Sequence, residues 1–487
     1  MTRVAIIGAG TAGLSCCRKL LELLDEPDSS EIDKIVIYEA RDRFGGRIHS
    51  ASLDPSATAV DLGPNWLHGD SSANSAQRFY HAPEVTLHDV GDRNVIIAPD
   101  GRVLGPREQV EVEGYMWEYV DRAIAYSAAH CAEIPASASL VDFVKQELER
   151  EEGESEDKER MEKKRERVLS AIEMFGFYIG EAAARQSLKY ACLEEMAPGD
   201  TMYVASGYGG ILRAMAEPVL AAAAAANKKV EVRLCAPVVA VESEIEKQKS
   251  KVVTRDGGQE WFEKVVVAVP LGVLKAEGIR FAPELPAEVR RAVRDVGYGR
   301  LEKVYMKFSR AFWGTNDQFE FLSPRYAQDT NDQHWPMTAI SLAQLPGRHG
   351  QAALLWYTYG EISERVVREL ESSKSDDEAI AAATAFFAPY YSRIPGFDAA
   401  VDERPEKVVW TRWSEDEYAG YGSYTNAMVG LEEGREKLGV LRTGMGGRGV
   451  YFAGEHCADE LQIGTVGGAV MAGEQAAERC LSGRGGD

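Results

Sequence analysis

The chain has 487 residues, 45% of them hydrophobic and 27% charged, with a formal net charge of −22. That length leaves room for two or three domains with ample core, and the composition is that of an ordinary soluble globular chain. A surface this acidic repels nucleic acid and anionic membranes, which argues against both as partners, and it steers cations inward. Seven cysteines (Cys16, Cys17, Cys131, Cys192, Cys235, Cys457, Cys480) are odd in number and show no paired metal spacing. Several sit in apolar stretches, which reads as reduced, buried thiols of an intracellular protein without a metal site.

The first fifty residues organise the rest. Val4-Ala-Ile-Ile-Gly8-Ala-Gly10-Thr-Ala-Gly13 predicts a buried parallel strand, a tight turn at Gly8 and a helix that starts on a glycine loop. Gly10, without a Cβ, lets a pyrophosphate approach the backbone, Gly13 lets the helix pack against the sheet, and the helix N-terminus aims its free N–H groups at the phosphates. The helix continues to Leu24, an acidic loop spans 25–33, and Lys34–Tyr38 predicts a second strand ending at Glu39. An acid there accepts hydrogen bonds from the ribose of an adenosine, so the ligand is NAD or FAD.

The continuation, Ala40-Arg41-Asp-Arg-Phe-Gly45-Gly46-Arg47, decides between them. Two glycines and an arginine directly after the ribose-binding acid supply a second backbone approach and a guanidinium fork for a diphosphate, which an NAD dehydrogenase does not need. The stretch resembles the extended fingerprint of the flavin amine oxidase superfamily. The resemblance implies FAD, with Gly8, Gly10, Gly13, Glu39, Ala40, Arg41, Gly46 and Arg47 at its adenosine and pyrophosphate.

Further motifs follow in order. Gly63-Pro64-Asn65-Trp66-Leu-His68-Gly69 is similar to the G-x-x-W-x-[HE]-G stretch of the polyamine oxidase branch, which implies flavin contacts at Gly63, Pro64, Asn65 and Trp66 and an active-site role for His68. Helical periodicity is expected around Gly114–His130 and Ser139–Glu152, and the mixed-charge run 151–167 reads as a solvated helix or loop. Glu194 and Glu195 end a short apolar stretch and suit a substrate ammonium. Tyr203–Leu212 returns to the nucleotide domain, Val238 matches the family's backbone contact to adenine, and Val269-Pro-Leu-Gly-Val-Leu-Lys275 marks the crossing back to the substrate domain.

In Leu301-Glu-Lys303-Val-Tyr305-Met-Lys307, strand alternation puts Lys303, Tyr305 and Lys307 on one face. The superfamily carries a lysine at the position of Lys303, joined through a water to flavin N5; Lys307 lies one alternation beyond that match. Trp413 and Gly422-Ser423-Tyr424 resemble the W-x(n)-G-S-Y segment. Monoamine oxidases have a cysteine at the position of Ser423, and a serine cannot form that thioether, so the FAD is expected to be noncovalent. Tyr424 matches one wall of the aromatic cage, and Thr465 stands where the second cage tyrosine would be, leaving a one-walled cage. Gly454, Glu455, Thr465 and Val466 close the flavin site; Gly467 replaces a histidine of the family pattern, and His456-Cys457 replaces small residues.

The resemblance runs from Val4 to about Arg479. It implies an α/β fold: a discontinuous Rossmann-like FAD-binding domain (1–81, 201–290, 421–487) and an α+β substrate domain with a mixed sheet (82–200, largely helical, and 291–420). The implied chemistry is hydride transfer from an amine α-carbon to flavin N5, then hydrolysis of the imine and reoxidation by O2 to hydrogen peroxide, with Lys303, His68 and Tyr424 at the reacting end. A polyamine is the expected substrate. An oxidase of other primary or long-chain amines differs only in its cavity, an amino-acid oxidase needs an arginine clamp that the sequence does not place, and a silent flavoprotein is opposed by Lys303. A histone demethylase needs a chromatin-binding domain and a long helical insertion, neither visible in these residues. The protein is expected to be a cytoplasmic monomer or homodimer, with no signal peptide ahead of the first strand, no apolar run of membrane-spanning length, and Arg484-Gly-Gly-Asp487 unlike a peroxisomal tripeptide.

Overall fold

A computed structural model describes residues 2–24, 32–69, 71–91, 93–195, 197–226, 229–327 and 334–482. Most of the acidic loop 25–33 and the C-terminal tetrapeptide 484–487 lie outside the described residues. Two large sheets are built from β1 (Thr2–Ile7), β2 (Ile32–Tyr38), β3 (Asn94–Ile97), β4 (Val230–Arg233), β5 (Lys264–Val267), β6 (Leu301–Lys307), β7 (Gln318–Phe321), β8 (Met337–Ser341), β9 (Ala353–Tyr359), β10 (Lys407–Trp410) and β11 (Val450–Phe452). The helices that bear on the site are α1 (Thr11–Leu24), α2 (Pro106–His130), α3 (Leu140–Glu154), α4 (Lys158–Glu173) and α5 (Val466–Ser482).

The first sheet is fully parallel, in the order β11-β5-β1-β2-β4. Its central strand is covered on both faces, which is why β1 reads as an unbroken apolar run and not as an alternation. Val4 and Ile6 enter the core with Leu14, Cys16 and Cys17 of α1 and Ala476 and Ala477 of α5, whereas Ala5 and Ile7 enter the core on the opposite face. Small residues allow the two helices to meet closely: a Cβ on Gly473 would lie 2.2 Å from the Ala12 carbonyl oxygen.

The second sheet has the order β10-β6-β9-β8-β7-β3 and is mixed: every pair is antiparallel except β7–β3. Strand alternation divides its residues cleanly. Met306, Phe319, Phe321, Leu354 and Trp356 fill an aromatic core with the helix Asp376–Tyr391, while Tyr305, Leu355 and Tyr357 face the other way, towards the parallel sheet. Lys303 shares that second face, and Lys307 reaches the sheet's end, where it pairs with Asp54 at 3.1 Å and Glu406 at 3.4 Å.

The helical segment α2–α4 lies over this face. Its charged stretch 151–167 is the solvated helix or loop expected: it spans the end of α3 and the start of α4 with most residues exposed, and ion pairs tie it back onto α2. Glu151 accepts from Tyr119 at 2.9 Å and Arg122 at 2.9 Å and pairs with Lys164 at 2.7 Å, and Met161 is buried. All seven cysteines are free thiols; five are buried, Cys131 is half-buried and Cys235 is exposed. Among the described residues no helix is long and apolar enough to cross a membrane, and no cluster of His, Cys, Asp or Glu could hold a metal ion.

Candidate active site

One cavity of about 680 Å³ runs from the C-terminal edge of the parallel sheet to the inner face of the mixed sheet. Its volume falls within the range of small-molecule and cofactor sites. Every residue expected at the cofactor lines it except Gly13, which lies behind the loop. A Cβ on Gly13 would stand 1.9 Å from the Gly8 carbonyl oxygen, so only glycine lets the first turn of α1 close on the strand end. Gly8 itself takes φ +107°, a conformation that disfavours any side chain. On Gly10 a Cβ would meet nothing nearer than the Gly46 Cα at 3.9 Å, so that flank of the loop is open to a ligand.

Glu39 is 5% exposed at the end of β2, where its carboxylate accepts from the N–H of Ala9 at 2.7 Å and of Arg41 at 2.9 Å. Those two bonds fix the carboxylate and leave further lone pairs for the hydroxyls of a ribose. Arg41 is held by Asp416 at 2.8 Å, and Arg43, which the sequence reading passed over, braces the second glycine turn by donating to the carbonyls of Gly46 at 3.0 Å and Ile48 at 3.1 Å. Arg47 does more than face a diphosphate. Its Nη1 donates to the Ser423 carbonyl and to Glu455 at 3.1 Å, and Glu455 in turn accepts from the Gly464 N–H at 3.1 Å. One ion pair thus joins the N-terminal loop to both C-terminal motifs. Val238 opens the second β stretch beside Pro237, and Trp413 lies across the Leu62 carbonyl, to which its Nε1 donates at 2.9 Å.

The N-terminus of α5 faces the cavity, with Thr465 as its cap: the hydroxyl donates to Gln462 O at 2.7 Å and accepts from Gly468 N–H at 3.0 Å. Gly467 follows because a Cβ there would lie 2.5 Å from Asn74 Oδ1. Asn74, not anticipated from sequence, holds the turn after His68 by donating to its carbonyl at 2.9 Å. His456 packs directly beneath Gly454, whose Cβ, if present, would touch its ring at 2.5 Å. Open glycine flanks, a fixed ribose acceptor, two arginines and a helix N-terminus along one elongated cavity fit an FAD, and Glu39, Gly10, Gly46, Arg47, Gly63 and Thr465 would hold it.

At the mixed-sheet end, Lys303 is 5% exposed, and its Nζ donates to the carbonyl of Gly63, to Asn65 Oδ1 and to the Asp61 carbonyl at 3.3 Å. Three acceptors account for all three ammonium hydrogens, so a bridging water at Nζ would have to displace the long Asp61 contact or find the amine neutral. Burial pushes the Lys303 pKa down to about 7, against the opposing pull of Asp61 and Glu302, so the neutral form is accessible. Burial lifts the Asp61 carboxyl to about 6, although Ser50 and the Tyr208 N–H hydrogen-bond it. Asn65 spends its side chain wholly on protein, accepting also from Tyr357 at 2.9 Å and donating to Tyr203 and Tyr305 at 3.3 Å, so it serves the cavity as a brace for Lys303.

His68 lines the cavity with Nδ1 buried and unpartnered, and burial lowers its pKa to about 4, which keeps the ring neutral. Tyr424 forms a wall, its hydroxyl donating to the Tyr178 carbonyl at 2.9 Å. The Ser423 hydroxyl is engaged with β6, accepting from Leu301 N–H at 2.9 Å and donating to its carbonyl at 2.8 Å. Glu194 reaches into the cavity, where burial raises its pKa to about 7, and it accepts from Ala427 N–H at 3.4 Å; Glu195 is exposed at the rim. The sequence reading missed Glu320 of β7, a second cavity acid that burial also raises to about 7. Its signal was the alternation Gln318-Phe-Glu-Phe321, in which an acid shares a face with a polar residue between two core aromatics.

A sequence profile of the flavin containing amine oxidoreductases matches residues 11–481. The chain is 28% identical to polyamine oxidase 3 of Oryza sativa subsp. japonica, covering 98% of this chain and 88% of that protein, and 27% identical to the probable polyamine oxidase 4 of Arabidopsis thaliana, with 98% and 86% covered. It is also 25% identical to lysine-specific histone demethylase 1 homolog 1 of Oryza sativa subsp. japonica, where it covers 96% of this chain but spans about half of the relative's length (51%). A solved structure of a redesigned putrescine oxidase superposes with a TM-score of 0.69 over 99% of both chains, at 19% identity, which establishes the fold. The chain belongs to the family of flavin-containing amine oxidoreductases.

Proposed function

We propose that the protein is an FAD-dependent amine oxidase acting on a linear polyamine, with the flavin held noncovalently. The observation that carries the amine oxidase reading is the buried Lys303 fixed by the Gly63 carbonyl and Asn65 Oδ1, at the point where the cofactor cradle meets an aromatic-walled cavity. The polyamine reading is supported by Glu194 and Glu320, which stand in that cavity without a lysine, arginine or histidine partner among the described residues.

Held by Glu39, Gly10, Gly46, Arg47, Gly63 and Thr465, an FAD would supply the two-electron acceptor for a hydride from the amine α-carbon and the route by which those electrons reduce O2 to hydrogen peroxide. The protein's own residues orient and protect. Trp66, Tyr178, Tyr357 and Tyr424 line the approach with rings, which excludes bulk water and favours the neutral form of the reacting nitrogen, the form with a lone pair to assist hydride loss. Lys303, braced by Asn65, places a hydrogen-bonding nitrogen at the reacting end, and its protonated form favours an anion formed from O2. The capped N-terminus of α5 adds a positive end on the same cavity. Glu194, when ionised, holds an ammonium remote from the reacting carbon. We infer a cytosolic location from the strongly acidic chain and its free thiols.

Anaerobic mixing of the holoenzyme with spermine, and separately with a long-chain primary monoamine, tests the reading. Bleaching of the flavin absorbance by spermine and not by the monoamine is expected. Bleaching by the monoamine alone would replace the polyamine with a long alkyl amine lying along Met116, Val120 and Phe175, and bleaching by neither would overturn the polyamine reading.

A further inference from the structure

The floor of the cavity is a straight row across the mixed sheet. Lys303 of β6 is directly opposite Tyr357 of β9, Tyr357 opposite Thr338 of β8, and Thr338 opposite Glu320 of β7. All four line the same cavity. Register makes this possible: residues paired across adjacent strands project from the same face of the sheet. Three inter-strand steps separate the first from the last, which places Glu320 about 14 Å from Lys303 along the floor.

The far end of the row has the marks of a site awaiting a cation. Gln318 Nε2 donates to Glu320 Oε1 at 2.8 Å and fixes the carboxylate. Glu113 of α2, which accepts from Asn94 at 3.3 Å, adds negative potential there and takes part in no ion pair found among the described residues. Next to Glu320 in the row, Thr338 is 7% exposed, and its Oγ1 is buried with no hydrogen-bond partner although it lines the cavity. A carboxylate drawn into a cavity walled by Met116, Val120 and Phe175 is costly unless a ligand's charge meets it, and an orphaned hydroxyl beside it is a second acceptor for the same donor.

We propose that Glu320 and Thr338 Oγ1 form a subsite for the distal ammonium of a linear polyamine, so that the row from Lys303 to Glu320 measures the length of the substrate. This rests on the amine oxidation proposed above, with the reacting carbon at the Lys303 end. The spacing excludes the shortest candidates: the nitrogens of a four-carbon diamine stand at most about 6 Å apart, too close to engage both ends. Glu194, whose charge acts on Tyr424, is a second cavity acid outside this row, and the two acids together favour chains that carry several charges.

The test compares wild-type holoenzyme with Glu320→Gln and Thr338→Val, using unbranched α,ω-diamines from four to twelve carbons and n-alkylamines of the same lengths. In the wild type, kcat/KM for the diamines rises with length and peaks at about eight carbons or beyond, as the row's length requires. Glu320→Gln lowers kcat/KM for the long diamines about tenfold or more, chiefly through KM, and leaves the alkylamines within about twofold; Thr338→Val has the same signature with a smaller loss. Unchanged flavin spectra and melting temperatures show that the variants are folded. Equal losses for both series, no loss for either, or a wild-type peak at four carbons overturns the subsite. A wild type whose flavin is bleached by no amine overturns the oxidase reading, and with it this one, whereas an active wild type indifferent to Glu320→Gln overturns the subsite alone.

Discussion

At the Gly8–Gly13 end of the cavity the ligand-facing groups are backbone N–H groups, glycine flanks and a carboxylate already tied to two amides, whereas at the Glu320 end they are side chains left short of partners. The first arrangement is satisfied before any ligand arrives: Glu39 accepts from Ala9 and Arg41, and Arg47 is paired with Glu455. The second is unsatisfied: Thr338 Oγ1 is buried without a partner beside Glu320, whose carboxyl burial raises to about 7. A preformed end suits a resident cofactor, since binding then costs little reorganisation. An end with stored polar debt suits a substrate that comes and goes, because each unmet group contributes selectivity only when the right donor fills it.

The contrast can be broken most severely at Gly13. Gly13→Ala puts a methyl 1.9 Å from Gly8 O, and the shift it forces between β1 and α1 should cost about 1–3 kcal/mol or more and release the flavin. The flavin-to-protein absorbance ratio after purification, with a thermal melt, checks this; a variant that keeps a full complement of flavin would show that the loop tolerates the displacement. Lys303→Met tests the junction of the two ends. Flavin should stay bound through Gly10, Glu39, Gly46, Arg47 and Thr465, although the Lys303 bonds to Gly63 and Asn65 are lost, while reoxidation by O2 slows by about two orders of magnitude. Stopped-flow mixing of reduced enzyme with O2 measures it, and an unchanged rate would remove Lys303 from the chemistry.

The pH profile sharpens the comparison with smaller effects. Glu194 and Glu320 are protonated below about pH 7 and ionised above it, so kcat/KM for a polyamine should climb through that region more steeply than for a monoamine. The same shifts set stability. A carboxyl whose pKa is raised on folding stabilises the fold while both states are protonated and loses that contribution as pH rises through about 7. Glu194→Gln should therefore melt higher than wild type above pH 7 and level with it below the ordinary carboxylate range, a difference that differential scanning calorimetry resolves.

The glycine spacing of Gly8, Gly10 and Gly13, the acid at Glu39 and the Gly45-Gly46-Arg47 turn were legible because each depends on residues within one βα unit, where local sterics decide the conformation. The alternation that hides Lys303 and Tyr305 on one face of β6 was equally local. Readings that needed a distant partner were less complete. Arg47 was placed at the cofactor, but its bond to Glu455 lies 408 residues away, and Asn65 proved to be a brace for Lys303 across 238 residues.

By itself the sequence determined the strand–glycine turn–helix unit at the N-terminus and the face of β6 that Lys303 and Tyr305 share. Only the tertiary structure decided that Lys303, Tyr357, Thr338 and Glu320 stand in one row beneath one cavity. Alternation tells which face a side chain takes, but the register between strands is set by the packing of both faces and by the loops between them, which no local stretch contains.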